Sequence, residues 1–367
     1  MSNEWPAVWP APAKINLFLH VVGRRPDGYH ELQTIFQFID WQDDLRFTVQ
    51  DDGVITRAHD VAGIDADRDL TVRAARRLQE ASGSRLGVHI HMTKRLPIGG
   101  GLGGGSSDAA TTLLALNALW GLDWSLDRLA ELGLSLGADV PVFVRGVSAW
   151  AEGVGERLTA VDLPEPWYVV IVPDASVLTG PVFAGLHLTG FRRPITIRDF
   201  RAGQGDNDLV AVVRARYEAV DEAWRWLEAY GRVRMSGSGA SLFIEVPDPH
   251  YGQDVVTSAY RALGGHAKTL DRHHAHAVRV PHPPGMADRN RGRDRAAGQQ
   301  NSKETRDESP HQNAWCLASS ALRTLLPGAF VSASRHSRKA RAWCPESHSA
   351  APKCAAMVGS CDRSKAF

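Results

Sequence analysis

The chain has 367 residues, 43% of them hydrophobic and 23% charged, with 42 Lys and Arg against 41 Asp and Glu. That size and balance allow a sizeable core in one or two domains and exclude a fibre or a generally disordered chain. The net charge of +1 hides an asymmetry: from Asp288 onward 14 Lys and Arg face 7 Asp and Glu, leaving 28 basic and 34 acidic residues before it, so the main body gives no electrostatic reason to expect a nucleic-acid partner.

The opening MSNEWPAVWPAP lacks a basic segment followed by an apolar one, so it does not read as a secretory signal and a cytoplasmic location is expected. Ile15, Leu17 and Leu19 then alternate, Gly23 to Gly28 interrupt, and Leu45, Phe47 and Val49 alternate again, which predicts antiparallel strands around a turn-rich insert. A helix is expected over Leu70 to Ala81, a strand through Val88, Ile90 and Met92, a glycine loop, and a helix from about Ser107 to Trp120. A further helix over Leu126 to Leu136 stops at Gly137, and Pro141 is expected to restart the chain in extended form.

A first domain is expected over 1–165. Strand Tyr168 to Val172, helix Leu209 to Tyr230 and strand Ser241 to Val246 supply a second α+β unit over 166–285. The apolar run from Trp167 to Val172 is strand-sized, and no stretch approaches the roughly 20 residues that cross a bilayer, so no membrane partner is expected. From about His273 the periodicity is lost, and 286–367 is expected to be a disordered tail. All four cysteines, Cys316, Cys344, Cys354 and Cys361, fall in that tail at spacings of neither a paired CxxC zinc site nor a compact disulfide framework. The body before them therefore has no thiol chemistry and fits a reducing compartment.

The sharpest feature is Lys94-Arg-Leu-Pro-Ile-Gly-Gly-Gly-Leu-Gly-Gly-Gly-Ser-Ser-Asp108, with six glycines in seven positions between a strand and an apolar helix. Glycine this dense is costly in chain entropy. Without Cβ atoms, successive N–H groups can close around a polyanion while the following helix adds its own unpaired amides and positive dipole end. Ser106 and Ser107 are expected to cap that helix and offer hydroxyls to a phosphate or to Mg²⁺. A flexible linker is the competing reading, disfavoured by the tight setting between two regular elements. Gly99-x-Gly101-x-x-Gly104 also satisfies the dinucleotide pattern, but so many glycines satisfy almost any such pattern; no GK[ST] follows, and the HRD and DFG partners of protein kinases are missing.

Two further segments are Pro12-Ala-Lys14-Ile-Asn16-Leu and Gly137-Ala-Asp139-Val-Pro141. Alone, Lys14 reads as a solvated lysine and Asp139 as a turn or cap residue. A kinase acting on an alcohol, however, needs a carboxylate to orient and deprotonate the hydroxyl and a cation to offset charge in flight.

PAKIN, PIGGGLGGGSS and SGSGAS, in that order, resemble the three motifs of the GHMP kinases. PAKINLFLHVVGRRPDGYHELQTIFQFID and GADVPVFVRGVSAWAEGVGE are similar to the branch acting on a cytidylated erythritol, and the likeness runs from Pro12 to His273. The resemblance implies an α+β, two-lobed GHMP kinase fold with the active site in the cleft between lobes. It implies ATP as co-substrate with Mg²⁺, whose ligands stay unassigned, and phosphorylation of the 2-hydroxyl of a cytidylated methylerythritol, a small-molecule substrate. By the same resemblance Lys14 and Asp139 are the catalytic pair, and Lys94, Pro97, Ile98, Gly99, Gly100, Gly101, Leu102, Gly103, Gly104, Gly105, Ser106 and Ser107 bind ATP. Asn16, Tyr29, His30 and Phe183 bind substrate, the aromatic groups holding cytosine. Other GHMP kinases share the loop but have no obvious need for DGYHEL. A silent nucleotide sensor on the same scaffold could lose Lys14 or Asp139, and this chain keeps both. Ser236-Gly-Ser238-Gly239-Ala-Ser241 departs slightly from the family's usual Thr-Gly-Thr-Gly-Ala-Cys. Beyond His273 the chain departs wholly from the family, and this stretch is expected to be an extension arising by read-through or frameshift.

Overall fold

The computed structural model describes residues 7–58, 64–186, 191–263 and, for the backbone, 274–279. The tail expected over 286–367 lies outside the described residues. Strands β1 (Trp9–Arg24) and β2 (His30–Gln50) form a long antiparallel pair joined by the turn at 25–29. One edge of β2 carries β1, and the other carries β5 (Ala149–Gly153) at its start and β4 (Gly87–Thr93) at its end. The short strands β3 (Ile55–Arg57) and β6 (Arg157–Ala160) complete this six-stranded sheet. Its β1–β2 register shifts between Pro12 and Ala13. Phe36 and Phe38 before that irregularity, and Leu45 and Phe47 after it, join one core cluster, so the odd–even phase of β2 changes across it, as an inserted bulge requires.

Helices α1 (Leu70–Ser82), α2 (Gly104–Leu119), α3 (Leu126–Leu134) and α4 (Val140–Arg145) cover one face of this sheet through Leu78, Leu113, Leu116, Leu129 and Phe143. The second sheet orders β10 (His274–Arg279), β7 (Trp167–Val172), β9 (Leu242–Val246) and β8 (Arg234–Met235), all antiparallel. Tyr168, Val170, Val172 and Phe243 pack against Ile15, Ile35 and Ile39 of the first sheet. Val169, Ile171, Leu242 and Ile244 face the opposite way, toward α7 (Val210–Arg216), α8 (Glu218–Leu227) and α9 (Pro249–Leu263). Burial on both faces explains the near-continuous apolar run of β7. Two short helices, α5 (Thr179–Ala184) and α6 (Ile197–Arg201), fall between β7 and α7 in chain order. No helix among the described residues is long and apolar enough to cross a membrane.

Four expectations fail locally. Pro141 does not restart an extended chain: it sits in the first turn of α4, where a missing N–H costs nothing and its fixed φ suits a helix. The glycine loop enters helix three residues earlier than Ser107, with Gly103 at the cap position and neither serine capping. The helix expected over 209–230 is two, broken at Tyr217, whose backbone is extended. The segment after His273 is not wholly without structure, since 274–279 pairs along β7.

Asp69 ties the start of α1 to the first sheet. Its side chain accepts from the Thr71 amide at 2.8 Å and pairs with Arg57 of β3, both side chains being almost fully buried. Removing one partner of a buried pair leaves the other charge uncompensated, so Arg57→Met is expected to cost about 3–5 kcal/mol. Urea unfolding checks this; a loss under about 1 kcal/mol means the pair is not stabilising α1.

Candidate active site

Lys14 lies in the middle of β1 and is only 3% exposed. A buried ammonium needs compensating partners. Its Nζ donates to Asn16 Oδ1 at 2.5 Å, stands 3.4 Å from Asp139 Oδ2, and lies 5.2 Å from the centre of the Phe36 ring. Asn16 is held in turn by a bond from its Nδ2 to Thr34 Oγ1 at 2.9 Å. Asp139 occupies the cap position of α4 but makes no capping bond with its side chain, which leaves the carboxylate free to face Lys14. The solvated-lysine reading fails, since Lys14 is buried, whereas Asp139 does hold the turn and cap position expected of it but without a capping side-chain bond.

The glycine loop is clasped from two sides. The Lys14 amide donates to the Leu102 carbonyl at 2.9 Å, and the Ser241 amide to the Gly100 carbonyl at 3.0 Å. Ser236 Oγ accepts from the Asn16 amide at 3.1 Å and donates to the Gly101 carbonyl at 2.8 Å. A Cβ on Gly101 would fall 2.3 Å from the Ser236 carbonyl, and one on Gly103 would fall 2.7 Å from the Phe143 ring. Both have left-handed φ, +76° and +75°, so these positions demand glycine on two counts. PAKIN, the glycine loop and SGSGAS therefore meet at one point. Asn207, which no motif marked, stabilises it by donating to the Met235 and Gly237 carbonyls, each at 2.8 Å.

With no side chain capping α2, its first-turn amides are open to a ligand. Ser106 lines the cleft there together with Pro97, Ile98 and all six loop glycines. Leu102 and Ser107 do not: Leu102 is packed between the two sheets and Ser107 is fully buried.

Lys94 also lines the cleft, but its Nζ is shared by Asp43 and Asp108, each at 2.6 Å. Asp43 is anchored by the amides of Arg95 at 2.5 Å and Leu96 at 2.8 Å. Burial pulls the lysine down, but Asp108 and Asp43 outweigh it and hold the ammonium charged. Burial pushes Asp108 up to about 7, Lys94 opposes and Asp43 reinforces. Neither acid was singled out from the sequence, where Asp43 is one of three acids in IDWQDD and Asp108 ends the glycine loop; only their shared lysine identifies them.

At the other end of the cleft, Tyr29 is 65% exposed on the turn after Gly28, its amide bonded to Asp27 Oδ1 at 3.1 Å. The His30 ring stacks on Phe183 of α5 at 5.1 Å and 26°. Burial, followed by the nearby Arg24, lowers the His30 pKa, keeping a neutral ring that both donates and accepts. The cleft as a whole measures about 980 Å³ and takes residues from both sheets' segments, among them Lys14, Asp139, Gly101, Tyr29, Phe183 and Ser238.

Residues 69–147 match the GHMP kinases N terminal domain and 195–264 the GHMP kinases C terminal domain. The 4-diphosphocytidyl-2-C-methyl-D-erythritol kinase of Pseudomonas syringae pv. syringae (strain B728a) is 56% identical over 258 residues, 70% of this chain and 92% of its own length. A crystal structure of 4-(cytidine 5'-diphospho)-2C-methyl-D-erythritol kinase superposes with a TM-score of 0.64 at 35% identity, over 75% of this chain and all of that one. The mevalonate kinase of Methanococcus jannaschii, at 12% identity and a TM-score of 0.55 over 77% of this chain and all of its own, shares the fold alone. The chain belongs to the GHMP kinase family, among the 4-diphosphocytidyl-2-C-methyl-D-erythritol kinases.

Proposed function

We propose that the protein transfers the γ-phosphate of ATP to the 2-hydroxyl of 4-diphosphocytidyl-2-C-methyl-D-erythritol, a step of non-mevalonate isoprenoid precursor synthesis, giving the 2-phosphate and ADP. The observation that carries this reading is the Lys14–Asp139 pair, 3.4 Å apart, in one cleft with the glycine loop and the Tyr29, His30 and Phe183 rings. The similarity to kinases of that name supports the choice of substrate.

In this reading the loop amides and the open start of α2 receive the triphosphate, and Mg²⁺ enters as part of the nucleotide substrate. Among the described residues no group of three or more His, Cys, Asp or Glu is placed to hold a metal. Asp139 orients the 2-hydroxyl and accepts its proton late, since a loose phosphoryl transition state activates the attacking oxygen only weakly. Lys14, 3.4 Å from Asp139 Oδ2, balances the negative charge on the group in flight. Asn16, whose Oδ1 accepts a hydrogen bond from Lys14, sets the direction of the ammonium. Tyr29, His30 and Phe183 hold the flat pyrimidine, His30 by hydrogen bonding as a neutral ring. Delivering both reactants in line supplies much of the rate.

ADP release with Mg-ATP tests the reading when the cytidylated methylerythritol is compared with mevalonate, homoserine and galactose. Turnover is expected with the first alone; turnover with another alcohol, or with none, overturns it. Asp139→Asn is expected to lower kcat by about 10²–10⁴ while ATP binding is unchanged, and near-normal turnover in that variant removes Asp139 from the base role. Tyr29→Ala is expected to raise KM for the cytidylated substrate by about five- to a hundredfold, the value of one base stacked on an aromatic ring, with KM for ATP little altered. Equal effects on both constants argue against stacking at this position.

A further inference from the structure

The Asp43–Lys94–Asp108 cluster poses an electrostatic problem for a cleft that receives a polyphosphate. With both carboxylates ionised and Lys94 charged, the three groups sum to one negative charge at the wall beside the loop. Asp108 is 3% exposed, and its Oδ2 takes the lysine while its Oδ1, fully buried, has no hydrogen-bond partner. Asp43 is in a different state, because its Oδ1 takes two backbone amides and its Oδ2 the lysine. Asp108 therefore receives fewer hydrogen-bond donors than Asp43 and has one buried oxygen without any.

Arg68, exposed, also lines the cleft, but among the described residues Lys94 alone is paired with Asp108. Asp108 is the one charged residue of α2. On β1, Lys14 is engaged by Asn16 and Asp139. Next to Lys94, Arg95 pairs with Asp44 of β2. At the start of α1, Asp69 is held by Arg57, and the charged residues along α1 and α3 are exposed. Arg145 of α4 pairs with Asp127 of α3.

We propose that Asp108 is a positioning residue for Lys94 and that nucleotide binding draws one proton from solvent onto its carboxylate. Protonation brings the cluster to neutrality beside the incoming phosphates, loosens one of the two ion pairs that restrain Lys94, and leaves the ammonium able to reach a phosphate oxygen. The proton leaves hydronium or a buffer acid, whose bond to hydrogen breaks as the carboxyl O–H forms, and no other bond changes. The proton affinity raised by burial in the empty cleft acts in the same direction, since the group already sits near the point of taking the proton. By reciprocity, if the nucleotide favours the protonated form, protonation favours the nucleotide. Affinity is then full below the pKa of Asp108 in the empty cleft and declines as pH rises above it, by at most tenfold per unit.

This inference rests on the cleft binding ATP, and calorimetry separates the two ideas. The non-hydrolysable analogue AMPPNP with excess Mg²⁺ is titrated into the full chain at about pH 8, in phosphate and in Tris, buffers of different ionisation enthalpy; the difference in heat counts protons. Wild type is expected to take up close to one proton and Asp108→Asn close to none, the comparison removing any proton the nucleotide exchanges. Wild-type affinity is also expected to fall by about tenfold from roughly pH 7 to 8.5, and the variant's to stay flat. Binding by wild type with equal heats in the two buffers overturns the proposal whether or not the variant folds, and so does uptake that persists in Asp108→Asn. Absence of binding overturns the ATP reading of the cleft and this inference with it.

Discussion

The glycine loop can exist in this conformation only because two other parts of the chain hold its carbonyls. The Lys14 amide, the Ser236 hydroxyl and the Ser241 amide each donate to a loop carbonyl, at Leu102, Gly101 and Gly100. A loop turned to offer its N–H groups to an anion directs its carbonyls the other way, and buried carbonyls need donors. β1 from the first sheet and the turn between β8 and β9 of the second supply them. The glycine loop thus lies at a seam between two sheets, and its shape depends on their packing through Ile15, Ile35, Val170 and Phe243.

The same seam sorts the charges. Lys14 is carried into the interior by a strand buried on both faces, and meets Asp139 because α4 starts where the cleft opens. Lys94 leaves β4 on the far side of the loop and meets two acids instead of one. One lysine therefore faces the single carboxylate of Asp139, and the other sits in a cluster whose net charge changes with a single proton. Both are desolvated enough for their partners to matter, since the interaction between charges grows as water is excluded.

Much of the fold was legible because its signals are local. The alternation of β1 and β2, the amphipathic α1 beginning after Asp69, and the short apolar strands β7 and β9 all lie close to their expected bounds. The expectations that failed depended on surroundings. Pro141 is compatible with both an extended segment and a helix start, and the packing of Val140, Val142 and Phe143 into the first core decides between them. Tyr217 interrupts an otherwise helical run because its backbone turns extended between two helices that each pack their own apolar face. The strand at 274–279 has little apolar periodicity and gains its structure from the backbone edge that β7 presents.

For the site, the sequence by itself determined the chemical inventory and its kinship: a glycine loop too dense for any use but close backbone approach, a lysine and an aspartate suited to phosphoryl transfer, and motifs in the order of one kinase family. Tertiary structure alone decided which of these groups touch. It turned Leu102 and Ser107 away from the cleft, stacked His30 on Phe183, and brought Asp43 and Asp108, sixty-five residues apart in the chain, onto one ammonium. The physical reason is that backbone conformation and residue type are written locally, whereas burial, ion pairing and the proton affinity they set depend on which distant segments the packed sheets and helices bring together.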